Sequence, residues 1–164
     1  MTEVVFVDTN ILIYAYDSKA AEKRTRAARA LARLWEEQTG RISLQVLQEF
    51  YVTAIQKLKV PRASAREVIQ DYAPWVKHPT TPEIILRASD LSESARISFW
   101  DALIVASAEQ ADASLLYTED LNPGQTIAGI RIVNPLSADY DLPPTTPYAV
   151  HEPVPSRYAS RRRG

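Results

Sequence analysis

Cysteine is absent from the 164-residue chain, which excludes disulfides, thiolate metal sites and cysteine nucleophiles. Histidine is scarce, and His78 and His151 are too few for a histidine-rich metal cage. The four glycines, Gly40, Gly124, Gly129 and Gly164, are too scattered to build a phosphate-cradling loop. Neither charge sign dominates: 19 basic against 20 acidic side chains leave a net of −1 and no global basic field for a polyanion. Long apolar runs are missing too. The N-terminal one covers only residues 4–7, far short of a signal-peptide core, and none approaches the roughly 18 residues of a membrane span. A soluble, cytoplasmic protein is therefore expected. With 46% hydrophobic and 24% charged residues, one domain with a real core is also expected. What the chain has in plenty is carboxylate.

Val4-Val5-Phe6-Val7 is continuously apolar and β-favouring, as in a strand covered on both faces of a parallel sheet. Helices are expected over 11–17 and 20–38, the second ending before Gly40. Ile42-Ser43-Leu44 reads as a second strand, 45–58 as a helix with Leu47, Phe50, Ala54 and Leu58 on one stripe, and 63–72 as another helix. A weak third strand is expected within 75–80. Thr81-Pro82-Glu83 then opens a helix reaching Ala95, with proline at its first position. An apolar helix over 99–111, a strand over 115–118, a turn at Asn122-Pro123-Gly124 and a strand over 130–133 complete the pattern. Alternating strands and helices predict an α/β fold around a mostly parallel sheet.

Three acids fall where such a sheet does chemistry. Asp8 follows the first strand and Asp120 the strand over 115–118, at the carboxyl ends that line a ligand crevice. Asp8 also suits a helix N-cap, and Asp120 an ordinary turn; Glu119 could replace Asp120 as the working acid. Asp101, in the first turn of the apolar helix, heads its core-facing stripe, although Ser98-x-x-Asp101 also reads as a capping box. Glu49 shares a polar helix face with Gln45, Thr53 and Gln56, which fits solvent or a groove equally. Two carboxylates about 4 Å apart repel by roughly 4 kcal/mol at an effective dielectric of 20, so a converging set needs a counter-cation. An all-oxygen site points to Mg²⁺ or Mn²⁺. Such a site suits phosphodiester hydrolysis, where one or two metals activate water and stabilise the leaving oxygen.

Four blocks carry a resemblance: Phe6-Val7-Asp8-Thr9-Asn10-Ile11-Leu12, Leu47-Gln48-Glu49-Phe50-Tyr51, Ser98-Phe99-Trp100-Asp101-Ala102-Leu103, and Leu116-Tyr117-Thr118-Glu119-Asp120-Leu121. In this order, and with Gly124-Gln125 and Ile130-Arg131-Ile132-Val133-Asn134-Pro135 closing the pattern, the chain resembles PIN-domain ribonucleases, especially the VapC toxins of type II toxin–antitoxin systems. The resemblance implies a three-layer α/β/α domain over 1–138, with Asp8, Glu49, Asp101 and Asp120 on the family's acidic positions. It implies a metal held chiefly by Asp8 and Asp101, with Glu49 and Asp120 contributing directly or through water. Thr9, Asn10, Ser98 and Thr118 would support these ligands by hydrogen bonds. RNA substrate, homodimerisation and inhibition by a small antitoxin are implied in the same way.

The resemblance leaves 139–164 unexplained. This extension is Pro-rich and ends in Arg161-Arg162-Arg163, with four arginines from 141 on against Asp141 and Glu152. It fits a solvated terminus or an RNA-binding arm. Within the domain, Arg26, Arg29 and Arg33 share one helix face and could contact phosphates, although Glu22, Glu36 and Glu37 are interspersed. Tyr72, Trp75 and Trp100 read as core or interface residues rather than base-stacking platforms. Two other functions stay open. One is an aspartyl-phosphate phosphotransfer or phosphatase domain, against which Asn10 stands where the phosphatase pattern needs a second Asp. The other is an inactive metal-binding module that binds an antitoxin.

Overall fold

The computed structural model describes residues 3–140, so the extension lies outside the described residues from 141 on. Strand β1 (Val5–Val7) leads into the short helix α1 (Thr9–Tyr14) and the long helix α2 (Ala21–Glu37). Strand β2 (Gly40–Arg41) follows, then α3 (Leu44–Gln56), α4 (Arg62–Tyr72) and a single 3₁₀ turn at Ala73–Trp75. Helices α5 (Pro82–Ala95) and α6 (Phe99–Gln110) precede β3 (Leu115–Tyr117), β4 (Thr126–Ile127) and β5 (Ile130–Val133).

The strands form one sheet in the order β2-β1-β3-β5-β4. All neighbours are parallel except β4, which returns antiparallel along β5. Every residue of β1 and β3 is buried. Successive strand side chains point to opposite faces, so complete burial means that both faces are covered, and the α/β expectation holds. Helices α5 and α6 pack as a hairpin, fastened at its open end by a bidentate Arg87–Glu109 ion pair.

From β1 the chain crosses to β2 on one side and returns to β3 on the other. The carboxyl ends of β1 and β3 therefore border the place where strand order reverses, which is where open α/β sheets hold their ligands. Val7 pairs with Tyr117, so Asp8 and Thr118 emerge side by side; the Asp8 amide donates to the Tyr117 carbonyl at 2.9 Å.

Three expectations need correction. The second strand is Gly40–Arg41 rather than 42–44, because Leu44 already starts α3, with Ser43 at its N-cap position. Residues 75–80 hold no strand: Trp75 ends the 3₁₀ turn and the chain then runs irregularly to α5. The antiparallel β4 was not expected, being two residues long.

Gly40 has a specific reason to be glycine. A Cβ there would lie 2.5 Å from the Trp75 ring. That ring belongs to a buried aromatic corner, in which Trp35, Tyr72 and Trp75 meet with centroids 4.9–5.2 Å apart. Only a bare backbone lets β2 approach it so closely.

Candidate metal centre

Asp8 does two jobs with two oxygens. It is the N-cap of α1, its Oδ1 accepting the Thr9 amide at 2.7 Å. Its Oδ2 accepts the Thr118 hydroxyl at 2.8 Å and, more weakly, the Asn10 amide at 3.5 Å. The residue is only 6% exposed. Burial pushes its carboxyl up to about 7; the Thr118 and Thr9 hydrogen bonds pull the other way, and the Asp120 and Glu49 charges add to the rise.

Asp101 enters from the first turn of α6. The Ser98 hydroxyl caps this helix by accepting the Asp101 amide at 3.1 Å, so an N-cap and an acid of the cluster share one turn. Burial, outweighing the Ser98 hydrogen bond, also raises the Asp101 carboxyl above its ordinary value. Asp120 comes from the loop after β3 and is exposed. Asn10 holds it, donating to Oδ2 at 2.9 Å, while the Asp120 amide donates to Thr118 Oγ1 at 3.1 Å. Asn10 Oδ1 in turn accepts the Glu119 amide at 3.4 Å. One amide side chain thus ties the loops after β1 and β3 together.

Carboxylate oxygens of Asp8, Asp101 and Asp120 lie within 4.8 Å of one another. Opposed oxygens on a Mg²⁺ with bonds near 2.1 Å stand about 4.2 Å apart, so small side-chain rotations would close this set on a cation. The donors are all hard oxygens, the kind that Mg²⁺ and Mn²⁺ prefer. The residues fit a divalent cation.

Glu49 stands outside this trio. Its Oε2 accepts the Thr9 hydroxyl at 2.7 Å and its Oε1 the Gln45 amide at 2.8 Å, so both oxygens are already engaged. Its polar helix face does border the site: Glu49, Thr53, Asn10 and Asp120 help line an open cavity of about 540 Å³ with Asp8 on its wall. Gln45 was legible only as a polar neighbour one turn before Glu49.

Other candidates are placed elsewhere. Glu119, the alternative working acid, pairs with Lys23 at 2.9 Å. Arg26 donates to the carbonyls of Tyr140 and Ala138 at 3.0 and 3.3 Å, and Arg33 to Glu37 at 2.8 Å. The segment after β5 passes α2 at Arg26, whereas Arg33 is held by Glu37 one turn on in α2 itself. Two of the three arginines read as a phosphate-binding face are thus engaged within the protein. Arg29 remains half-buried between them. Tyr72 and Trp75 are core residues as expected, whereas Trp100 is 64% exposed.

The family model of the PIN domain matches residues 5–126. No curated protein matches the chain. No helix among the described residues is long and apolar enough to cross a membrane.

Proposed function

The chain belongs to the PIN-domain family, a family generally of metal-dependent nucleases, and on that premise we propose that it is a Mg²⁺- or Mn²⁺-dependent endoribonuclease, the toxin of a toxin–antitoxin pair. Its substrate is single-stranded RNA or a single-stranded segment of a structured RNA. The observation that carries this reading is the convergence of Asp8, Asp101 and Asp120 at the carboxyl ends of β1 and β3. When bound, a divalent cation supplies positive charge against the phosphodiester and makes a water more acidic.

The chain's own residues prepare the site for it. Asp8 and Asp101 would hold the cation from the sheet and from α6, and Asp120 would complete the set from the exposed side. Thr118 and Asn10 fix the orientation of Asp8 and Asp120. Thr9 and Gln45 hold Glu49 to the side of the three clustered acids, where it would act by charge or through water.

The toxin reading brings a small antitoxin partner and a homodimer with it. An apolar groove of about 480 Å³ between α3 and α4, lined by Leu44, Leu47, Tyr51, Val52 and Ile69, supports a protein partner. It shares Gln48 and Val52 with the acid cavity, so a segment lying in it reaches the site. The phosphotransfer alternative is less favoured, because Asn10 stands where its pattern needs a second Asp and donates its amide to Asp120.

The test is cleavage of a single-stranded RNA pool with Mg²⁺, Mn²⁺ or EDTA, comparing wild type with Asp8→Asn and Asp101→Asn. Metal-dependent cutting by wild type and loss in both variants is expected. Cutting that survives both substitutions would overturn the site. Metal binding by calorimetry without cleavage of any RNA would favour the inactive module. Co-purification of a small protein encoded directly upstream tests the toxin assignment separately.

A further inference from the structure

Trp100 is the exposed aromatic that the core leaves unexplained. At 64% exposure it is one of the two most exposed large apolar side chains among the described residues, the other being Leu86 on α5. Single exposed apolar residues are ordinary on protein surfaces, so exposure alone carries nothing. Its position does. Trp100 lies in the first turn of α6, immediately before Asp101, one of the three clustered acids. Consecutive Cα atoms are about 3.8 Å apart, and consecutive helical side chains diverge by about 100°. The indole therefore leaves α6 one residue from Asp101 and about 100° around the helix from it, outside the residues that line the acid cavity. Phe99 packs edge-to-face against it with centroids 5.4 Å apart, leaving a braced ring with open surface.

Electrostatics leave a need for such a contact. The chain has a net charge of −1. Most cations with a candidate RNA-binding role are engaged internally, Lys23 with Glu119, Arg33 with Glu37 and Arg26 with backbone carbonyls, and Arg29 is half-buried. A strand whose phosphate sits at the acids gains little from those groups. An aromatic face beside the acids supplies attraction of another kind, because every base has a π-face and stacking tolerates sequence.

We propose that Trp100 is a substrate-positioning residue that stacks on a nucleobase of the single strand, next to the phosphate held at Asp8, Asp101 and Asp120. This rests on the ribonuclease reading above. The indole touches a base and no reacting atom, so its effect falls on binding and on the choice of phosphate.

The experiment uses the full chain and a short fluorescent single-stranded oligoribonucleotide. Binding is followed by anisotropy and by tryptophan emission, and cleavage by KM and kcat with Mn²⁺. Trp100→Ala is expected to weaken binding by roughly 5- to 150-fold and to raise KM far more than it lowers kcat. Trp100→Phe, which keeps a ring, should restore most of the loss. The salt dependence of binding should be unchanged in Trp100→Ala, whereas loss of a phosphate contact would flatten it. Wild-type emission should be quenched by the oligonucleotide, and that quench should vanish in Trp100→Ala, since Trp75 is buried and Trp35 largely so. Leu86→Ala serves as the exposed apolar control and should match wild type.

Wild type that cuts RNA while Trp100→Ala keeps its KM and affinity overturns the stacking role and leaves the nuclease reading intact. Loss of self-association in Trp100→Ala with unchanged KM overturns it in favour of a protein interface. Wild type that neither cuts nor is quenched overturns both readings. Wild type that is quenched but does not cut keeps the stacking contact and overturns only the hydrolysis.

Discussion

The acid crevice and the aromatic corner lie at different places on the same small sheet and are built on opposite terms. At the corner, Trp35, Tyr72 and Trp75 bury apolar surface against the bare backbone of Gly40, and each contact favours folding. In the crevice, three carboxylates converge, one almost wholly buried, and the arrangement opposes folding until a cation joins it. The corner carries stability that the crevice gives up. Such a division is expected wherever a site must hold like charges together before its ligand arrives.

The largest effect expected to test this contrast is at Asp8. Asp8→Asn should lower metal affinity and RNA cleavage by more than about a hundredfold, since even outer partners of metal ligands are worth ten- to a hundredfold. The same variant should unfold at higher urea than wild type at pH 8 without metal, because a buried charge is gone while asparagine still caps α1. A variant both inactive and less stable would break the contrast. Gly40→Ala should do the reverse. Pressing a methyl against the Trp75 ring should lower stability by about 1–3 kcal/mol, with calorimetric metal affinity unchanged. A change in metal affinity would show that corner and crevice are coupled.

The smallest effect per step is with pH. Asp8 ionises near 7 when folded against 3.8 for an ordinary aspartate, with burial the main cause. In the metal-free protein its contribution to stability is full below about pH 3.8 and is lost as pH rises towards 7, by about 1.4 kcal/mol per unit. Metal must displace that proton, so affinity should climb by up to about tenfold per unit to pH 7 and then level. Urea midpoints and calorimetry should therefore move in opposite directions over this interval. Parallel movement would remove Asp8 from the cation site.

What could be read from sequence divides along similar physical lines. β1 and β3 are short continuous apolar runs, and burial on both faces leaves that mark in composition, while β5 keeps it except at the exposed Arg131. The strand ends then placed Asp8 and Asp120 together. Gly40–Arg41 leaves no such mark, because its strand character comes from pairing with Val5 and Phe6 rather than from its own side chains. Thr126–Ile127 is likewise a strand only through β5. Glu49 belonged with the other acids by the resemblance. Its contact with Gln45 follows from the four-residue spacing on α3, but its capture by Thr9 depends on how α3 lies against α1, which spacing within one helix does not encode. The internal contacts of Arg26 depend on where the chain goes after β5, again a long-range matter. From sequence Trp100 reads as core or interface, and its exposure removes only the core half. An indole beside an apolar stripe looks like core until the helix has a neighbour on one side and solvent on the other.

The divided duty of Asp8 also bears on how this chain can drift. One oxygen starts a helix and the other receives a hydroxyl from a second loop, so few side chains can stand there without loosening both. Asp120, exposed and tied only at its edge, tolerates many. A lineage losing its chemistry thus has a broad exit at position 120 and a narrow one at position 8, where asparagine alone keeps the shape. Decay of the reaction would be recorded first on the outer wall of the crevice and last at its floor.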